Sequence, residues 1–184
     1  IPAPDTFYKN IFKLKPGHYI IANSNGYKEY KYWDLPFVSE NEMIKDKKYI
    51  YKKFEDLFSD SIKIRMRSDV PFGAFLSGGL DSSCIVSQMS NFSSEPIQTF
   101  TIGFPEKDFD ESSLANLVSK KFSTSHYVGT VSPHSVKDAI DLCVNHFDEP
   151  FGDSSSIPTF QVSKFARKKV KMVLTGDGGD EVLS

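Results

Sequence analysis

The stretch FLSGGLDSS at positions 75–83 decides the fold class of this chain. An apolar run, Pro71–Leu76, leads into it and predicts a buried strand. After it, Ile85, Met89 and Phe92 recur at helical spacing and predict a helix. A strand that passes through two glycines directly into a helix is the basic unit of an α/β sheet, and such a turn binds oxyanions through its main-chain amides. We therefore expect a phosphate-binding turn at this position.

The alternation of strand and helix continues to the end of the chain. Further strands are predicted at Ile97–Phe104, His126–Val131 and Lys171–Thr175, with helical periodicity between them. Strands joined by helices form right-handed βαβ units, and these give a parallel sheet covered on both faces. The predicted fold class is therefore α/β, with a doubly wound parallel sheet.

A second glycine-rich turn, Thr175–Glu181, combines three glycines with three carboxylates and predicts a cation site. Asp81 in the first turn suits a Mg²⁺ that bridges to phosphates, because a carboxylate alone would repel a phosphate. If the two preceding strands are neighbours, Asp81 and Asp180 can share one Mg²⁺. A plain strand–helix turn and a flexible acidic loop are the alternative interpretations of the two segments.

Two common nucleotide-binding motifs are absent from these turns. Gly73 and Gly78 have the spacing of a Walker loop, but Gly79-Leu80 stands where that loop requires Lys-Ser/Thr. The chain also contains no GxGxxG motif, so a dinucleotide fingerprint is absent.

Composition narrows the class of protein further. The formal net charge of -2 over 184 residues and the pI near 6.1 give no basic field for nucleic-acid binding. No apolar run approaches the roughly 18 residues of a membrane span. Cys84 and Cys143 lie far apart and form no CxxC motif, which excludes a disulfide framework and a zinc ribbon. We therefore expect a cytoplasmic protein without nucleic-acid or membrane partners.

Residues 1–38 differ from the rest of the chain. The segments His18–Asn23 and Tyr27–Trp33, joined by Ser24-Asn25-Gly26, predict a β-hairpin with an Asn-Gly turn. Two strands bury too little surface to be stable alone, so this hairpin is expected to pack on another part of the protein. From Glu40 to Arg67, apolar residues at helical spacing predict a helix.

Ser77–Ser83 resembles the pyrophosphate-binding SGGxDS loop of the ATP pyrophosphatase (PP-loop) class. With four further motifs, the chain resembles the synthetase domain of the glutamine-hydrolysing asparagine synthetase family. Those motifs are Phe109-Asp110-Glu111, Asp148-Glu149-Pro150-Phe151, Asp153-Ser154-Ser155 and Thr175–Glu181. The resemblance implies an α/β fold whose doubly wound parallel sheet is of the adenine-nucleotide alpha-hydrolase-like (PP-loop) type, preceded by a short β-hairpin segment.

The resemblance also implies a domain boundary. Residues 1–38, with Lys15–Tyr19 and Tyr32–Asp34, resemble the C-terminal end of the family's glutaminase domain plus a linker. Residues 39–184 resemble an incomplete asparagine synthetase domain. The glutaminase's N-terminal cysteine and the C-terminal helices with an essential lysine are missing, so we expect a fragment that is inactive alone.

The resemblance implies ATP and Mg²⁺ as cofactors and a reaction in two steps. ATP activates aspartate as β-aspartyl-AMP and releases pyrophosphate, and ammonia from glutamine then displaces AMP. Asp177 is the implied catalytic residue, at a position linked to the acyl-adenylate where many relatives carry the longer Glu. The other implied roles are adenosine contact for Leu76 and Ile102, pyrophosphate binding for Ser77, Gly78, Gly79 and Ser82, nucleotide contact for Thr175 and Gly176, and Mg²⁺ binding for Asp81 and Asp180.

The implied partners are ATP, aspartate, ammonia from glutamine, and the missing domains of the same protein; a homodimer is compatible with the resemblance. Two alternatives stay open. One is another PP-loop adenylating enzyme, either lactam-forming or tRNA-modifying, although tRNA-modifying relatives need basic patches or extra cysteines that do not appear here. The other is a non-catalytic nucleotide-binding module.

Overall fold

The computed structural model describes residues 1–106, 110–130 and 133–183. The predictions that involve Phe109 and Val131 lie outside the described residues. The chain forms two compact units, and the first consists of Ile1–Lys47 together with Phe147–Gly152. The second contains the rest of the described chain.

The first unit contains a two-stranded antiparallel sheet, as the sequence predicts. β1 (His18–Asn23) pairs with β2 (Gly26–Lys31), and Asn23 faces Gly26 at the closed end. Gly26 therefore belongs to the second strand, and the predicted Asn-Gly turn is displaced by one residue. The Asn23 side chain accepts the amide hydrogen of Asn25 at an N···O distance of 2.9 Å, which closes the turn before Gly26 is reached.

The helix predicted from Glu40 to Arg67 is shorter than expected. Its α-helical part, α1, spans Lys47–Arg65, and a separate 3₁₀ turn occupies Glu40–Glu42. The Ser39 amide and hydroxyl both donate to the Glu42 carboxylate, at 3.1 Å and 2.6 Å. This local cap stabilises an isolated turn, so the α-helix begins several residues later than the periodicity predicts.

The second unit is built on a parallel sheet of four strands in the order β5-β4-β3-β6. The strands are β3 (Phe72–Phe75), β4 (Gln98–Gly103), β5 (Ser125–Thr130) and β6 (Met172–Leu174). All four lie within one residue of the ends that the sequence predicts. The strand predictions are therefore confirmed. They succeed because short apolar runs bounded by glycine and polar residues are a strong local signal.

Helices cover both faces of this sheet. They are α2 (Leu80–Phe92), α3 (Ser112–Phe122), α4 (Pro133–His146), α5 (Ser156–Ala166) and α6 (Gly179–Leu183). Ala74 packs in a core with residues of α1, α2 and α3, whereas its neighbour Phe75 packs with Phe100 and α5. Successive residues of a strand point to opposite faces, so these are two separate cores and the doubly wound α/β fold is confirmed. None of the helices in the described ranges is long and apolar enough to cross a membrane.

The chain reverses its direction across the sheet once. From β3 it adds β4 and then β5 on one side, and it returns with β6 on the other side of β3. Open α/β sheets bind their ligands beyond the carboxyl ends of the strands at such a reversal. Because the two glycine-rich turns follow β3 and β6, the fold places both of them there.

Candidate functional site

The first glycine-rich turn is held in place mainly by its own serines. The Ser82 side chain, on the first turn of α2, is only 8% exposed. Its hydroxyl oxygen accepts the Ser77 amide at 3.3 Å and lies 3.0 Å from the Ser77 hydroxyl. The Gly79 amide donates in turn to the Ser77 hydroxyl at 3.2 Å. These bonds fold the turn back onto the start of α2, with Ser77 and Gly79 on the exposed side.

Gly78 in this turn packs against α3. A Cβ atom at Gly78 would lie 2.6 Å from the Cβ of Leu114 and 2.7 Å from the amide nitrogen of Ala115. Its φ of +89° is also in the region that favours glycine. The sequence predicts that the glycine pair lets a ligand approach; at Gly78 the close neighbour in the structure is a helix of the same chain.

The second turn is also closed by local hydrogen bonds. The Thr175 hydroxyl donates to the Asp177 carboxylate at 2.8 Å, and the Asp177 amide lies 3.4 Å from that hydroxyl. The Gly179 amide donates to the Gly176 carbonyl at 3.2 Å. Asp177 itself is exposed, so its carboxylate is oriented by Thr175 and accessible to a reactant.

The two turns meet. A Cβ atom at Gly176 would lie 3.0 Å from the Ser82 amide nitrogen and 3.1 Å from the Cβ of Asp81. A Cβ atom at Gly179 would lie 2.8 Å from Cγ of Asp81 and about as close to both of its carboxylate oxygens. The Asp81 carboxylate therefore lies against the residue that precedes Asp180. The pairing of β3 with β6 makes the strands before the two turns neighbours, which is the condition for Asp81 and Asp180 to share one Mg²⁺.

The donor set is compatible with a Mg²⁺ that is shared with phosphate oxygens. No group of three or more His, Cys, Asp or Glu side chains in the described part of the chain is arranged to hold a metal ion. Mg²⁺ in phosphate sites usually has only one or two carboxylate ligands and takes the others from waters and phosphates. The Asp81 carboxylate occupies the space that a side chain at Gly179 would need.

The two residues assigned to adenosine have different environments. Leu76 is 1% exposed and its side chain belongs to the core between the sheet and α2, so this side chain is not accessible to a ligand. Ile102 is half-buried near the end of β4, where its Cδ1 lies 2.9 Å from the position of a Cβ on Gly129. Both lie at the carboxyl ends of adjacent strands, but only Leu76 leads directly into the phosphate turn.

Two further site residues carried no signal in the sequence. The hydroxyl of Thr101, on β4, donates a hydrogen bond to the Leu76 carbonyl oxygen. Ser112, the first residue of α3, donates to Asp110 with its amide at 3.2 Å and its hydroxyl at 2.9 Å, while the N-cap position itself is Glu111. These bonds, the hydroxyl bond first, lower the pKa of Asp110 below its ordinary value. Single threonines and serines in strands and caps are too common to predict such contacts.

The motifs between α4 and α5 fall in different units. Glu149 belongs to the first unit, where it forms an ion pair with Lys13 and accepts the Phe7 amide at 3.2 Å. Asp153 belongs to the second unit, where it accepts the Ser155 amide at 2.8 Å. The Ser156 hydroxyl donates to the Asp153 carbonyl at 2.7 Å, so a local hydrogen bond at the start of α5 accounts for that serine.

A groove of about 1150 Å³ adjoins the two turns on the side of α1. Phe54, Phe58 and Cys84 line it from α1 and α2, and Asp81 and Gly176 line it from the turns. Polar and apolar residues both line it, but the surface that they expose is mainly apolar, which suits packing against another apolar surface better than nucleotide binding.

Comparison with known proteins identifies the family. The asparagine synthase family model matches residues 53–184. The chain belongs to the asparagine synthase family. It is 44% identical to a putative glutamine-hydrolysing asparagine synthetase 2 of Methanocaldococcus jannaschii over 99% of this chain and 35% of that protein. It is 33% identical to the glutamine-hydrolysing asparagine synthetase 1 of Bacillus subtilis over 99% of this chain and 28% of that protein.

The chain spans about a third of the length of the curated proteins it matches. Among solved structures, the NH₃-dependent NAD synthetase of Campylobacter jejuni aligns with a TM-score of 0.46 and 14% identity, over 74% of this chain and 58% of that one.

Proposed function

We propose that this chain is the nucleotide-binding part of an ATP-dependent, AMP-forming ligase that converts aspartate to asparagine with ammonia from glutamine. The observation that carries the proposal is the contact between the two glycine-rich turns at the reversal of the sheet, where Asp81 lies against Gly179. Such a position is where open α/β sheets bind nucleotides. The family match to asparagine synthases supports aspartate as the acceptor.

The residues of the two turns would divide the work of the first step. The Gly79 amide and the Ser77 and Ser82 hydroxyls would bind the leaving pyrophosphate, while Thr175 and Gly176 contact the nucleotide. Asp81 and Asp180 would hold Mg²⁺, which neutralises phosphate charge when bound. Positioning and charge neutralisation of this kind supply most of the catalysis in phosphate chemistry.

Asp177 is the proposed catalytic residue. The Thr175 hydroxyl orients its carboxylate at 2.8 Å, and the carboxylate is exposed at the mouth of the turn. A carboxylate at this place would stabilise the attacking ammonia, or accept a proton from it, during breakdown of β-aspartyl-AMP.

We further propose that residues 1–38 are the end of a glutaminase domain plus a linker and that residues 39–184 are part of a synthetase domain. Ammonia would then come from glutamine hydrolysed elsewhere in the longer protein. The proposed location is the cytoplasm, and a homodimer is the proposed assembly.

The test is exchange of labelled pyrophosphate into ATP by the protein at its natural length. We expect exchange that depends on aspartate, because adenylation is reversible before ammonia arrives. Asp81→Asn should abolish it, whereas Asp60→Asn, an equal loss of charge on exposed α1, should leave it intact. Exchange that depends on another carboxylic acid would change the assigned acceptor. Absence of exchange with every acid tested would contradict an adenylating function.

A further inference from the structure

We propose that Thr101 is the positioning residue of the phosphate turn: its hydroxyl holds the main-chain carbonyl of Leu76, from which the turn starts. The role in holding the turn stands on geometry alone. Its consequence for nucleotide affinity rests on the proposed function.

Leu76 is held by β4 through both of its main-chain groups. Its amide donates to the Phe100 carbonyl at 2.9 Å, and its carbonyl oxygen accepts the Thr101 hydroxyl. Thr101 is 4% exposed and the Leu76 side chain 1%, so water has little access to replace the hydroxyl. A buried carbonyl that loses such a partner bears a desolvation cost and shifts until it finds another.

The next residues transmit any such shift to the proposed anion-binding groups. Ser77 follows Leu76 directly, and its amide and hydroxyl both contact the Ser82 hydroxyl on α2. Gly78 then packs against α3 with no room for a side chain. The turn is therefore attached to β4, α2 and α3. At its start, the attachment to β4 consists of the strand pairing and one side-chain hydrogen bond, that of Thr101.

Thr99 offers a matched control on the same strand. It lies two residues before Thr101, on the same face of the sheet, and is fully buried. Its hydroxyl lies 2.8 Å from that of Thr124 and 2.9 Å from Nδ1 of His126, away from the phosphate turn. Replacing either threonine by valine removes one buried hydroxyl from β4, but only Thr101→Val removes the bond to Leu76.

The first experiment measures amide hydrogen exchange in the turn without any nucleotide. In Thr101→Val, the amides of Ser77 and Gly79 should exchange about tenfold faster, because the turn that carries them is no longer held at Leu76. Thr99→Val should leave these two amides unchanged, and Thr101→Ser, which keeps the hydroxyl, should restore protection. Thr101→Ala serves as a second deletion if the valine variant does not fold. Equal protection in the Thr101 and Thr99 variants would overturn the proposal.

The second experiment measures the dissociation constant of ATP with Mg²⁺ by calorimetry. Thr101→Val should raise this dissociation constant at least about fivefold. The constants of Thr101→Ser and Thr99→Val should stay near that of the unmodified protein. Equal affinities in all four proteins would overturn the positioning role. If none of the four binds ATP, the proposed function fails, while the exchange experiment still decides whether Thr101 holds the turn.

Discussion

At the scale of single residues, the candidate site depends on glycines that let two turns and a helix approach closely. Gly176 and Gly179 lie against Asp81, and Gly78 lies against Leu114 of α3. In each case a Cβ atom would come within about 3 Å of a neighbouring atom, closer than normal packing allows. Gly78, Gly176 and Gly179 are therefore required by the contacts of the chain with itself.

We expect Gly179→Ala to displace the Asp81 carboxylate, because the new methyl group would lie 2.8 Å from its Cγ. ATP affinity in the presence of Mg²⁺ should fall by about tenfold, the effect of losing one charge-assisted contact. Gly152→Ala is the control, since a Cβ there has no neighbour within 4 Å. Unchanged ATP affinity in Gly179→Ala would show that Asp81 is not a ligand of the nucleotide–metal complex.

Asp177→Ala should lower the rate of asparagine synthesis far more than the affinity for ATP. The exposed carboxylate, oriented by Thr175, is placed to act on the acyl-adenylate, and loss of a transition-state contact appears in kcat. Steady-state kinetics with ammonia as the nitrogen donor, at the natural length of the protein, separate the two effects. A variant with weaker ATP binding and normal kcat would make Asp177 a residue of the nucleotide loop alone.

At the scale of elements, a chain of buried and half-buried polar groups joins β4, β5 and α3. The Thr99 hydroxyl contacts Thr124 and His126, and the Thr124 hydroxyl donates to that of Ser119 at 2.9 Å. Nε2 of His126 is buried and has no hydrogen-bond partner among the described residues. Satisfied hydroxyls stabilise such a junction, whereas a charge on His126 would be unpaired within it.

His126 makes the stability of this junction depend on pH. Burial lowers the pKa of His126 below its ordinary value of 6.5, so the unfolded chain binds a proton more readily than the folded chain. The contribution of His126 to the free energy of unfolding should therefore be constant above about pH 6.5 and fall as the pH drops below that value. Urea unfolding at several pH values measures the effect, and His126→Asn should abolish this part of the dependence. His146→Gln, a change of the same type at the end of α4, should retain it.

At the scale of the whole molecule, the chain passes between its two compact units three times. Residues 147–152, which connect α4 to α5, fold with the first unit, although the helices on either side belong to the second. Lys13 attaches this connection: its ammonium group pairs with Glu149 and also donates to the Ile1 carbonyl at 2.8 Å. Contacts between residues this far apart in sequence join residues 147–152 to the first unit.

Glu149→Gln should loosen the 147–152 connection within the first unit. The hydrogen bond from Lys13, followed by smaller contributions that include the Phe7 amide, lowers the pKa of Glu149 below its ordinary value of 4.5. The interaction is therefore present above about pH 4.5 and lost as the pH falls through the lowered pKa. Hydrogen exchange of the Phe7 amide, which donates to this carboxylate at 3.2 Å, should quicken in the variant. Asp148→Asn is the control, because it removes an equal charge from the preceding residue. An equal change in the exchange of the Phe7 amide in that variant would contradict the specific role of Glu149.

Much of the second unit could be predicted because its signals are local. Short apolar runs gave each strand to within one residue, and the glycine-rich turns predicted where β3 and β6 end. The extent of α1 and the position of the hairpin turn were predicted less well. In both cases a side chain near the boundary, Ser39 or Asn23, forms a hydrogen bond that hydrophobic periodicity does not record.

The sequence by itself determined the α/β class, the two acidic turns and the resemblance to asparagine synthetases, because apolar periodicity and turn chemistry act between residues that are close along the chain. The tertiary structure alone decided which strands are neighbours and therefore that Asp81 meets Gly179. It also decided that Thr101 holds Leu76 and that Glu149 folds with Lys13. These contacts join residues far apart in sequence, and they form only when burial of the whole core selects one arrangement of the sheet and its helices.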